Sequence, residues 1–196
     1  VPIGIPFKVA RRFRQLQTSL ISIPFDNDMI ESAHEMANEM GSINNSITHG
    51  AGNAAGFLGE IAIRSYLGAP PMSTKDYDFI YDGDRIEVKT KRRTVKPLSH
   101  YDVSVAKVSG HQEPDWYCFL SLEFKEKING EYYNIKNVWY LGLLSYSDFW
   151  SKATKWERGQ VDESNGFVTH ADMYNVPISE LKMKGRAHDR TRIVNQ

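Results

Sequence analysis

The apolar positions of the chain change period along its length, and each change marks an element. Between residues 28 and 40, Met29, Ala33, Met36, Ala37 and Met40 recur at three- and four-residue spacing, the period of one helix face. Asp26 or Asn27 is placed to cap this helix and Gly41 to end it, while its acids turn the other way. After a polar stretch, Phe57, Leu58, Ile61, Ala62 and Leu67 predict a second, mostly buried helix over residues 54–67, stopped by Gly68 and Pro70-Pro71. From Tyr77 the period becomes two: residues 77–81 and 84–90 flank Asp82-Gly83, a strong β-hairpin signal. Further strands are expected over 116–124 and 132–143, joined at Asn129-Gly130, with a hint of extended chain at Tyr101, Val103 and Val105. Residues 145–156 suggest a helix and 173–177 a short strand. Helices and strands mixed in this order predict an α/β or α+β fold.

No repeat, low-complexity tract or long linker divides the 196 residues, so one domain spanning 1–196 is expected. A chain of this size buries enough core to dispense with disulfides, and Cys118 has no second cysteine to pair with. No run approaches the roughly 18 apolar residues of a membrane span, and the opening residues hold no signal-like apolar run. A cytoplasmic protein with no membrane partner is the expectation.

The formal net charge of zero first argues against a nucleic-acid partner, but it is a sum of separated opposites. Residues 1–20 carry +4, residues 85–96 carry +5 and residues 180–192 carry +3, leaving −12 elsewhere, with acids gathered at 26–39 and at 76–84.

A two-residue turn at Asp82-Gly83 fixes the register of the hairpin. Tyr81 then lies opposite Asp84, Ile80 opposite Arg85, Phe79 opposite Ile86 and Asp78 opposite Glu87. Directly opposed carboxylates repel, and the same register sets Lys89 opposite Asp76 on the face of Glu87, with Ile86 and Val88 on the other. Two carboxylates so held are able to bind a divalent cation through oxygen. Ordinary ion pairing gives a second reading, in which Asp78 meets Arg85 and Glu87 meets Lys89 or Lys91. Asp76 also stands as an alternative to Asp78.

Asp78, then Glu87-Val88-Lys89 on the following strand, with Gly59-Glu60 in the preceding helix, resembles the PD-(D/E)xK nuclease superfamily over about residues 54–143. Tyr77 stands where the motif has proline. The resemblance implies a restriction-endonuclease-like core, a central mixed β-sheet flanked by helices, with helical extensions at about 1–50 and 145–196. It implies a divalent-metal-dependent DNA endonuclease of a bacterial or phage-infected cell, using Mg²⁺ or, in its place, Mn²⁺. Asp78, Glu87, the Val88 carbonyl and Glu60 would hold metal, lowering the pKa of a bound water, and Lys89 would orient that water or steady developing charge. Junction-resolving and exonucleolytic activities belong to the same superfamily, and dimerisation would permit cutting of both strands.

Glu60 has a second explanation in Arg64, four residues along the helix and placed for an ion pair. Gly52, Gly56 and Gly59 each cost about 1 kcal/mol in a helix interior, which implies close packing against a strand or a nucleic-acid backbone. Lys91, Arg92, Arg93 and Lys96 lead out of the proposed site as a path for phosphates. Phosphate-loop, dinucleotide-binding and nucleophile-elbow motifs are absent, and the six histidines show no metal-ligand spacing. The rival is a catalytically inactive nucleic-acid-binding or assembly module of the same fold.

Overall fold

The computed structural model describes residues 20–40, 53–72, 76–109, 112–162 and 167–182. Gly41, Gly52 and the terminal basic segments 1–19 and 183–196 lie outside them. The architecture is α+β, built on a mixed five-stranded sheet.

The elements in chain order are β1 (Ile21–Ile23), α1 (Asn27–Met40), α2 (Asn53–Leu67), β2 (Phe79–Tyr81), β3 (Asp84–Arg93), β4 (Asp102–Ala106), β5 (Trp116–Ile128), β6 (Glu131–Ser145), α3 (Tyr146–Lys152), β7 (Thr154–Trp156), β8 (Val161–Asp162), β9 (Phe167–Val168) and β10 (Met173–Pro177). The main sheet runs β1-β6-β5-β3-β2. Among the described strands of this sheet only the β3–β5 pair is parallel. A second sheet, β4-β10-β7, is antiparallel.

Local chemistry explains the boundaries. The Asp26 carboxylate accepts the Met29 N–H at 2.9 Å and caps α1. Gly68, with φ of 70°, ends α2 in the left-handed region. Asp82 and Gly83 have φ of 52° and 86°, and Asn129 and Gly130 have 50° and 89°. Both turns thus place two successive residues at positive φ, the pattern that matches the twist of a hairpin.

Strand β5 is buried from Tyr117 to Phe124 and separates two cores. Cys118, Leu120, Leu122 and Phe124 face α1 and α2 with Ala62, Ile63 and Leu67. Tyr117 and Phe119 face β4, β10 and α3 with Val105, Phe149 and Val176. A helical layer, the main sheet and a layer made of the small sheet with α3 are thereby stacked.

The C-terminal part differs from the expected helical extension. Helix α3 begins at the Ser145 cap, whose hydroxyl accepts the Asp148 N–H at 3.1 Å, and ends at Ala153. Thr154–Trp156 leaves the helix because β10 offers it a ladder, a non-local partner that the local pattern does not reveal. At the other end, Ile21–Ile23 pairs with Val138–Tyr140 as an edge strand. No helix among the described residues is long and apolar enough to cross a membrane.

Candidate functional site

Strand β3 has ten residues and β2 three, and the site lies in that mismatch. The ladder registers Tyr81 with Asp84, Ile80 with Arg85 and Phe79 with Ile86, as the turn requires, and then stops. From Glu87 onward, no described strand of the main sheet flanks β3 on that side.

Asp78 stands at the end of the ladder, and its relation to Glu87 departs from the simple register. Its N–H donates to the Ile86 carbonyl at 2.9 Å, one residue short of a continued pair. Its carboxylate swings over and accepts the Val88 N–H at 2.6 Å. A strand residue directs its N–H and C=O to the same side, so the Val88 carbonyl also faces the notch. Burial, followed by the charge on Glu87, pushes the Asp78 carboxyl up to about 8. The Val88 N–H and Lys89 pull the other way without cancelling these effects.

Glu87 is 5% exposed. One of its oxygens accepts from Lys89 Nζ at 2.7 Å, while the other, Oε2, is buried without a hydrogen-bond partner among the described residues. Burial raises its pKa, Lys89 and Gln112 lower it, and Asp76 adds a further upward push. Lys89 also donates to Gln112 Oε1 at 3.1 Å. Gln112 therefore acts on both members of the pair. It follows β4 in a loop with no periodicity, and nothing in its sequence context singles it out.

Glu60 approaches from the helical layer. It is 9% exposed and forms the expected pair with Arg64 at 3.4 Å. Burial raises its pKa, Arg64 lowers it and the charge of Glu87 raises it again. Its field also acts on Asp78, so Glu60, Asp78 and Glu87 form one electrostatic group. What brings α2 so close is Gly59: a Cβ there would lie 2.1 Å from Thr90 Oγ1. The close neighbour implied by the glycines is thus a strand at Gly59, whereas Gly56 has open space.

Ion pairing follows the second reading of the hairpin only in part. Glu87 does pair with Lys89. Arg85 instead grips Asp115 through its backbone N–H, Nε and Nη2 at 2.8–3.1 Å, tying the hairpin to the start of β5.

The basic run divides between the faces of β3. Lys91 turns into the interface with the small sheet, donating to the Asp102 carbonyl at 3.2 Å and Ser104 Oγ at 2.9 Å. Burial, followed by repulsion from Arg93, lowers its pKa to about 8. Arg93 donates to the same carbonyl at 2.7 Å and lies over Tyr101. Arg92 points to the helical side over the Tyr132 ring at 4.8 Å, and Lys96 lies over Trp139 at 4.8 Å. These four residues are not a single solvated strip.

Two features bear on whether a cation fits the notch. Among the described residues, no group of three or more His, Cys, Asp or Glu is arranged as a ready metal cage. The donors present are hard oxygens, however, and Glu87 Oε2 is an orphaned buried acceptor. That suits an ion such as Mg²⁺, which commonly takes one or two carboxylates and completes its shell with water and phosphate. Compared with protein-family models and with curated protein sequences, the chain matches none.

Proposed function

We propose that this chain is a divalent-metal-dependent nuclease that hydrolyses phosphodiester bonds of DNA with a PD-(D/E)xK type of site on a restriction-endonuclease-like core. The observation that carries the proposal is the buried, unpartnered Glu87 Oε2 beside a lysine-paired Oε1, in the field of Asp78 and Glu60. An unsatisfied buried carboxylate oxygen costs free energy, and a cation relieves both that cost and the mutual repulsion of the acids.

Asp78, Glu87 and the Val88 carbonyl are the residues that would hold Mg²⁺ or Mn²⁺, with Glu60 acting directly or through water. An ion held by these residues would supply polarisation of a phosphoryl oxygen and a lowered pKa for a bound water. Lys89, fixed between Glu87 and Gln112, presents a positive charge where the phosphorane charge develops. Arg92 and Lys96 are the members of the basic run available to phosphates.

The Glu87–Lys89 and Glu60–Arg64 pairs favour a second reading, a binding or assembly module with structural ion pairs. Incubation of plasmid, linear duplex, single-stranded and branched DNA with Mg²⁺ or Mn²⁺ separates the two. The nuclease reading expects cleavage by the unaltered chain and at least roughly a hundredfold loss in Glu87→Ala and Lys89→Ala. Absence of cleavage, or equal cleavage by the variants, overturns it.

A further inference from the structure

A groove of about 910 Å³ lies on the helical side of the sheet, between α1, the start of α2 and the β5–β6 hairpin. Its apolar walls include Phe25, Ala37, Ala55 and Leu58, and Arg92 and Lys125 bring positive charge to it. Among its described lining residues Glu131 is the acid.

Arg92 makes this more than an apolar crevice. It is half-buried and rests on Tyr132. Among the described residues it has no carboxylate partner, whereas Arg64 and Arg85 each have one. A guanidinium does not shed its proton to relieve burial. Lys127 lies at the same Tyr132 ring, 5.0 Å from its centroid. Arg92 on the groove wall, and Lys127 gathered with it on the ring of Tyr132, itself a wall residue beside apolar side chains, are complementary to a ligand with an anionic part and a flat apolar part.

The position of the groove identifies that ligand. Arg92 is five residues beyond Glu87 on the same strand, about 17 Å at the ordinary rise and on the opposite face, so a strand reaches it over the edge of β3 that β2 leaves uncovered beyond Phe79. The cleft has the size that takes one small organic ligand, and a base-paired duplex is too thick to enter it. We infer that the groove receives an unpaired nucleotide of a DNA strand running from the carboxylate notch along β3, its phosphate on Arg92 and its base against the apolar wall. Resting on the nuclease reading, this assigns the substrate class: DNA with a single-stranded segment next to the scissile bond.

Fluorescence anisotropy with a 5′-labelled oligo(dT) and a matched duplex, in EDTA so that nothing is cleaved, tests the assignment. The single strand should bind more tightly than the duplex. Arg92→Ala should weaken single-strand binding about tenfold and flatten the dependence of log K on log salt by about 0.7 for each phosphate released from a cation. Ala37→Trp, which fills the groove from α1, should weaken binding without changing that slope.

Unchanged single-strand binding in folded Arg92→Ala and Ala37→Trp overturns the groove assignment, as does equal affinity for duplex. The same result with a large change in thermal stability points instead to a segment of the chain itself as occupant, and overturns it equally. Cleavage assays with Mg²⁺ keep the two proposals apart. If Glu87→Gln abolishes cutting and Arg92→Ala leaves both binding and cutting intact, the nuclease reading stands and the groove fails. If Arg92→Ala loses binding but the unaltered chain cuts nothing, the groove stands and the nuclease reading fails.

Discussion

Replacing Asp78 by Asn separates repulsion from hydrogen bonding at the notch, because the amide oxygen still accepts the Val88 N–H that the carboxylate accepts at 2.6 Å. In the native chain the carboxyl is raised from 3.8 to about 8. Native Asp78 consequently retains a proton that the unfolded chain has released, and stability falls as pH rises from about 4 to about 8. Each unit corresponds to about 1.36 kcal/mol, so the ceiling for the penalty is about 6 kcal/mol above pH 8. Glu60 and Glu87 continue to repel each other in the variant and the notch admits water. The expected gain for Asp78→Asn without metal is therefore about 2 kcal/mol at about pH 8.5, near zero at about pH 4. For a chain of this size that is a rise in Tm of about 4–8 °C. Thermal unfolding in EDTA across this range measures it. Millimolar Mg²⁺ at the alkaline end should then raise the Tm of the unaltered chain and move the variant less. A variant less stable than the unaltered chain at that pH in EDTA would refute the reasoning, since it would mean that the ionised carboxylate is held by favourable partners and not opposed by its neighbours.

Three other outcomes rest on particular side chains. Gly59→Ala sets a methyl group against Thr90 Oγ1; overpacking offset by better helix propensity should leave a net loss of about 1–2 kcal/mol in urea denaturation. Thr90→Ala should recover most of it in the double variant, because the colliding Oγ1 has no hydrogen-bond partner to lose. Gln112→Ala removes an acceptor from Lys89 and an influence that lowers the Glu87 pKa. Under the nuclease reading, kcat should fall on the order of tenfold, the acid limb of the pH–rate profile should move to higher pH, and DNA binding in EDTA should be unchanged. Lys91 titrates near 8 in the fold, below its ordinary 10.5, so the unfolded chain binds more protons between those values and stability gains from rising pH there. Lys91→Met should abolish that alkaline gain, read from urea midpoints at about pH 7.5 and about pH 10.

The parts legible in the sequence are those fixed by short-range chemistry. Asp82-Gly83 and Asn129-Gly130 announce their turns because two successive residues at positive φ admit few other pairs. The register follows, and with it the shared face of Glu87 and Lys89. The end of the ladder at Phe79 was not legible: a continued strand and a slipped one have the same alternation, and only the Asp78 bond to Val88 distinguishes them. Lys91 and Arg93 do lie on the face of Glu87, as period two requires, but β4 and β10 cover that face from elsewhere in the chain. Over residues 145–156 the local pattern reads as helix throughout, and pairing with β10 turns Thr154–Trp156 into strand. Gln112 had no signal at all.

The division of the basic run also changes what the neutral net charge means. Arg85 is engaged by Asp115, Lys89 by Glu87, and Lys91 and Arg93 by the Asp102 carbonyl. Much of the +5 of residues 85–96 is thereby used to join the hairpin to β5 and the main sheet to the small one. The two cations left over stand on different layers, Arg92 over the helical side and Lys96 over Trp139 on the side of the small sheet. A backbone leaving the notch therefore follows one or the other and does not lie along both. Under the nuclease reading, this limits the phosphates engaged near the site to a few, so affinity should depend weakly on salt for a DNA-binding protein. Recognition then rests on what the notch and groove enclose rather than on long-range attraction to a charged rod. Under both proposals, a groove on one side of an acidic notch selects for a strand that is free to turn into it, which makes strand separation, and not sequence, the property such a site would discriminate first.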